Sequence, residues 1–186
     1  MLAMLASPKN EIIGHDLGAD IDFCMKQIDG ENSAFWRRTY IRTAFSYIEA
    51  MNELLREKAY NATCVVTHRG INISRLELLS NKTYRIKKNG QLEEDELRMP
   101  FINYTAFILR SLAEESGIAV TFFGDHGWGC FQQAVAIRNR LTHPKQDEDI
   151  MVSDDDIKIM YEALRWYSNI LIDVFDNSSV WTRQPQ

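Results

Sequence analysis

Apolar residues recur at helical spacing along most of the chain. The strongest run extends from Ser33 to about Tyr60. There Trp36, Tyr40, Tyr47, Met51 and Leu54 form one stripe, and Ile41, Phe45, Ile48 and Leu55 a neighbouring one. An apolar arc that wide needs more than one packing partner, in a bundle or across a dimer face. The last run opens at Ser153, with Asp156 three residues on at capping-box spacing and Asp154 and Asp155 in the first turn. Within it Ile157, Leu164 and Leu171 repeat every seven residues, as do Met160, Tyr167 and Val174, which is the seam of a left-handed bundle. Between these runs, Pro100 introduces a helix from Phe101 to about Ser116 that turns Tyr104, Phe107, Ile108, Leu109 and Leu112 inward and stops at Gly117. Another helix spans Trp128–Thr142. Two shorter ones are expected, over Asp20–Ile28 before Gly30 and over Ile71–Leu79 with Ser74 as N-cap, after a turn at Gly70.

The pattern changes period at Tyr84–Leu92, where Tyr84 and Ile86 share one face and Asn89-Gly90 suits a type I′ hairpin turn. Glu93–Glu96 reads as a solvated connector after it. Thr121–Gly129 reads as a loop rich in glycine and aromatics; its glycines lack the spacing of a phosphate loop, and His126 there is a surface or hinge residue. The expected fold is therefore all-α: an up-and-down helical bundle of four to five helices with a small β-hairpin insertion at about 83–97. A single domain is expected over residues 1–186, with its core at about 33–176 and loose ends at residues 1–10 and after Asn177.

Composition is that of a soluble globular protein, with 45% hydrophobic and 25% charged residues in 186. The net charge of −5 means that any nucleic-acid contact must be a local basic patch. No run reaches the roughly 18 apolar residues of a membrane span, and the start lacks a signal pattern, so no membrane partner and a cytoplasmic location are expected. Cys24, Cys64 and Cys130 are odd in number and far apart, as in a reducing compartment. His15, Asp16, Asp20 and Asp22 read as a solvated acidic helix start. With no Glu-x-x-His pair either, neither a metal nor a cofactor is expected.

Chemistry concentrates in Arg138-Asn139-Arg140-Leu141-Thr142-His143-Pro144. On a helical wheel Arg138 falls between the Cys130/Ala134/Ile137/Leu141 stripe and Phe131/Val135, inside the apolar side. A guanidinium there needs a carboxylate, a phosphate or a route to water, and Glu49 is a candidate partner. Asn139 and His143 lie four apart, and Pro144 ends the helix at His143, setting an imidazole at the mouth of a groove. A guanidinium to hold a phosphate, an amide to orient it and a histidine to move protons suffice for metal-free RNA cleavage with the RNA's own 2′-hydroxyl as nucleophile. Arg37, Arg38 and Arg42 precede Glu49, Glu53 and Glu57 on the long helix, against the helix dipole. Either tertiary pairing or a positive ledge for phosphate accounts for that order.

Arg138-Asn139-x-x-x-His143 resembles the Arg-x4-6-His signature of the HEPN superfamily, with the frequent Asn after the Arg. The helix around Arg42–Ala50 is similar to the first long helix of several prokaryotic members, and the likeness covers about residues 33–176. It implies a homodimer with two motifs in one cleft and a metal-independent endoribonuclease, a toxin or antiviral defence effector, with an antitoxin protein as a possible partner. In that reading Arg138 holds the phosphate, His143 is the acid or base and Asn139 orients them. Glu49 and Ser46 support the motif, and Arg38, Arg42, Arg140 and Lys145 contact RNA. Lys145 stands where some members carry a modifiable tyrosine, which argues against that mode of regulation. The alternative is a non-catalytic HEPN module for dimerisation or for RNA or nucleotide binding, with Arg138 paired to Glu49.

Overall fold

Ser33 starts the long helix as expected: its Oγ accepts the Trp36 N–H at 3.5 Å, one residue before the helix begins. The computed structural model describes residues 8–66 and 73–176. In chain order these form α1 (Pro8–Gly30), α2 (Ala34–Val66), α3 (Ile73–Leu79), β1 (Lys82–Ile86), β2 (Leu92–Glu96), α4 (Phe101–Glu115), α5 (His126–Thr142) and α6 (Asp154–Asp176), with a 3-10 turn at Asp147–Ile150 before α6. The fold is an all-α bundle carrying a two-stranded hairpin, with six helices among the described residues where four to five were expected. Residues 1–7, the turn at Gly70 and the tail after Asn177 lie outside the described residues. Among those residues no helix is long and apolar enough to cross a membrane.

The chain forms two compact units. One comprises the chain up to Met51 and Thr121–Asp176, and so holds α1, the first half of α2, α5 and α6. Its core contains Tyr40, Ile41, Ala44 and Ile48 of α2, Phe131, Ala134 and Leu141 of α5, and Met160, Tyr167 and Leu171 of α6. The seven-residue seam of α6 is buried as expected, except at Ile157, which is half-buried. Helix α1 is far longer than the expected Asp20–Ile28. Gly14 and Gly18 weaken its helical signal, and neither is required by packing: a Cβ at Gly14 would make ordinary contact with Met51 Sδ at 3.7 Å, and one at Gly18 would meet nothing within 4 Å. The turn into α2 is made by Asn32 at φ +50.

Helices α5 and α6 pack antiparallel. Trp128 lies 5.5 Å from Trp166 and Phe131 stacks 6.2 Å from Tyr167, while Arg140 near the end of α5 meets Asp156 near the start of α6. Asp125 caps α5, its carboxylate accepting the Trp128 N–H at 2.7 Å, so His126–Gly129 belong to the first helical turn and not to the expected loop. Gly127 permits the approach of α6: a Cβ there would lie 2.2–2.6 Å from Cδ1, Cγ and Cβ of Trp166.

The second unit, Asn52–Val120 in its described part, holds the rest of α2, α3, the hairpin and α4. Asn52 Nδ2 donates to Thr105 Oγ1 at 2.8 Å inside the core, and the Tyr104 hydroxyl donates to Glu53 at 2.6 Å. Thr105 and Ser111 are buried on α4, whereas Tyr104 and Phe107, expected inward, are half-buried. The Asn52 amide explains the exchange, because it satisfies a hydroxyl that would otherwise be costly to bury. Gly117, at φ +70, closes α4 in a Schellman arrangement, with Ile118 N–H on Ala113 C=O at 2.8 Å. Ser74 lies inside α3 and is not its N-cap. In the hairpin, Lys87 pairs with Gln91 and Gly90 N–H returns to Lys87 C=O at 2.9 Å. Gly90 has φ +81 and Asn89 a negative φ, so the turn is a three-residue loop with a glycine bulge, not type I′. Glu93–Glu96 is strand and not connector, because Lys82, Arg85 and Lys87 pair with Glu94 and Glu93 across or beside the ladder.

Gly127→Ala should therefore cost about 1–3 kcal/mol through overpacking against Trp166. Gly129→Ala, with nothing within 4 Å of its Cβ, should be neutral or stabilising by up to about 1 kcal/mol. Urea unfolding of the two variants checks the contrast.

Candidate functional site

Helix α5 delivers Arg138, Asn139 and Arg140 in one turn and ends at His143. Arg138 Nη2 binds Glu49 Oε1 at 2.5 Å, its Nη1 donates to Asn139 Oδ1 at 3.3 Å, and its guanidinium carbon lies 5.9 Å from the Phe45 ring centroid. The Arg138 guanidinium thus lies over Phe45 of α2, and its charge is met by Glu49 of the same helix. The side chains of Arg138 and Glu49 remain 30% and 44% exposed. Of the three resolutions open to this arginine, the molecule uses the carboxylate and water together.

His143 is the C-cap of α5, with φ −128 and ψ 61, and its backbone N–H donates to Asn139 C=O at 3.0 Å. The helix thus ends before Pro144 as expected. The imidazole is exposed and has no side-chain partner among the described residues. Asn139 is exposed beside Arg138. Ser46 is exposed one turn before Glu49, its hydroxyl donating back to Arg42 C=O at 3.1 Å.

The arginines of α2 divide. Arg37 is held by Asn32 Oδ1 at 2.8 Å, Val152 C=O at 3.1 Å and the Asp154 carboxylate, which is tertiary pairing. Arg42 is exposed and Arg38 half-buried, and among the described residues neither has an ion-pair partner. Lys145 is exposed; its backbone N–H donates to Asp149 Oδ2 at 2.8 Å.

Arg140 is engaged within the protein. Its Nη2 binds Asp156 Oδ2 at 2.6 Å, and its Nη1 donates to the carbonyls of Asp149, at 2.9 Å, and Met151. It therefore fastens the end of α5 to the 3-10 turn and to the start of α6. Asp156 also completes the expected capping box, accepting the Ser153 N–H at 2.8 Å while Ser153 Oγ accepts the Asp156 N–H at 3.1 Å. Burial alone would push the pKa of Asp156 up, but the hydrogen bonds from Ser153 and Arg140 outweigh it and hold the carboxyl below its ordinary range. Sequence reasoning missed Asp149 and the Met151 carbonyl as supports of this corner. Their contacts depend on the path of the chain after Pro144, which no periodicity reports.

Among the described residues, no group of three His, Cys, Asp or Glu is arranged to hold a metal ion. A cleft of about 670 Å³ in the same unit is walled by α1, α2 and α6, with Tyr40, Tyr47 and Tyr161 among its lining, and no candidate site residue lines it. The arrangement at Arg138 is instead an open surface that offers an oriented cation, an amide and an imidazole.

The depressed Asp156 carboxyl fixes a pH dependence. Its contribution to stability is complete above about pH 4, the ordinary aspartate value, and is lost as pH falls through the lower folded value. Asp156→Asn should cost about 1–2 kcal/mol at pH 7 and give a shallower loss of stability between pH 5 and 2, read by denaturant unfolding across that window.

No protein-family model, no curated protein and no solved structure matches this chain.

Proposed function

We propose that the chain is a metal-independent endoribonuclease of HEPN type, acting as a homodimer that sets two copies of Arg138 and His143 along one cleft. The observation that carries this reading is the Arg138–Glu49 pair at the surface, five residues before an exposed His143. A pair this accessible contributes about 0–1 kcal/mol. Stability alone is thus a weak reason for placing a guanidinium against Phe45. Glu49 and Asn139 hold the guanidinium in a fixed direction while leaving it within reach of a phosphate. In the proposed reaction a His143 imidazole accepts the proton of the RNA 2′-hydroxyl as O2′ attacks phosphorus. The P–O5′ bond breaks, and the leaving oxygen is protonated by the second histidine of the dimer. Arg138 stabilises the charge on the non-bridging oxygens. The products are a 2′,3′-cyclic phosphate and a 5′-hydroxyl. A toxin or defence effector restrained by an antitoxin is the biological setting this activity suits.

The engaged guanidinium also favours a second reading, a non-catalytic module that binds RNA or nucleotide or serves dimerisation. Arg138→Ala and His143→Ala separate the two. The enzymatic reading predicts that each variant unfolds within about 1 kcal/mol of the wild type and loses at least about a hundred-fold in cleavage rate, scored by cyclic-phosphate ends formed in EDTA. RNA binding without cleavage by the wild type, and unchanged binding by His143→Ala, would establish the second reading instead.

A further inference from the structure

We propose that Phe23, Phe35 and Trp36 form a base-stacking platform for single-stranded RNA, at the far end of a track along α2 that leads past Arg38 and Arg42 to Arg138. The inference rests on the RNA reading of the Arg138 surface and adds a second contact region to it. Phe23 and Phe35 are 53% and 59% exposed. Both lean on Trp36, with ring centroids 5.7 Å and 5.1 Å away and planes near perpendicular. The indole N–H of Trp36 donates to Glu31 at 3.2 Å, which fixes the central ring. The trio is therefore an ordered aromatic surface open to solvent, and little side-chain freedom is lost when a base stacks on it.

Its place on α2 supplies the charge. Phe35, Arg38, Arg42, Ser46 and Glu49 follow at steps of three and four residues, so they share one helix face. Glu49 carries Arg138 at the other end of that face, fourteen residues or roughly 21 Å from Phe35 at 1.5 Å per residue. Between the two ends stand Arg38 and Arg42, with no ion-pair partner among the described residues. Aromatic rings followed along one helix face by arginines without an ion-pair partner among the described residues combine the base and backbone contacts that bind a single strand. In a chain of net charge −5, Arg38 and Arg42 supply the local positive charge that a polyanion needs, while Glu31 and Asp22 border the rings at the other end. The span suits about six stacked nucleotides at 3.4 Å each.

The test measures anisotropy of a labelled 2′-O-methyl RNA twelve-mer, which lacks the nucleophile and is not cut. Phe23→Ala/Phe35→Ala should weaken binding roughly 5- to 100-fold with the salt slope unchanged. Phe35→Tyr should bind like the wild type, and Arg42→Gln should reduce the salt slope by about one. If the alanine variant binds as tightly as the wild type while Arg42→Gln is weakened, the platform is wrong and the RNA reading stands. If the wild type does not bind, both fail. A shift of the alanine variant from dimer to monomer in sedimentation would show that a second copy covers these rings, and would also overturn the proposal.

Discussion

Helix α5 is fixed against α6 by different forces at its two ends, and the geometry around Arg138 follows from both. At the start the constraint is steric. Gly127 has no side chain, so the Trp166 ring closes over the helix where any Cβ would collide, and Trp128 and Phe131 complete an aromatic contact. At the end the constraint is electrostatic. Arg140 binds the Asp156 carboxylate and two carbonyls of the connecting turn. A helix held at both ends cannot roll, so the direction of every side chain between them is set.

That direction gives two arginines two residues apart opposite employment. They lie about 200° apart around the helix. Arg140 turns toward α6 and is used up in joining α5 to the next element. Arg138 turns toward α2, rests beside Phe45 and meets Glu49 with a third of its side chain in water. A surface ion pair is worth little, whereas the Arg140 contacts tie backbone carbonyls and a helix cap together. Stability thus concentrates at Arg140 and available chemistry at Arg138.

Much of the framework was legible in the chain because it obeys local rules. The capping box of Ser153 and Asp156, the seven-residue seam of α6, the stop at Gly117 and the break at Pro144 each need only neighbours in sequence. The Arg138–Glu49 pairing was also legible, since a carboxylate amid the apolar positions of α2 needs a partner. Helix α1 runs through Gly14 and Gly18, residues of low helix propensity, well ahead of the run expected from Asp20. The rest of what escaped depends on distant residues. Glu93–Glu96 forms a strand because basic residues of β1 lie alongside. The contacts of Arg140 depend on a turn that lies beyond Pro144, which no local pattern reports.

The proposed cleavage of RNA at the Arg138 surface requires the substrate's own 2′-hydroxyl as nucleophile. Incubating the protein in EDTA with an RNA and with its fully 2′-O-methylated counterpart tests it directly. The RNA should be cut and the methylated strand should stay intact. Cleavage of both strands, or of neither, would contradict it.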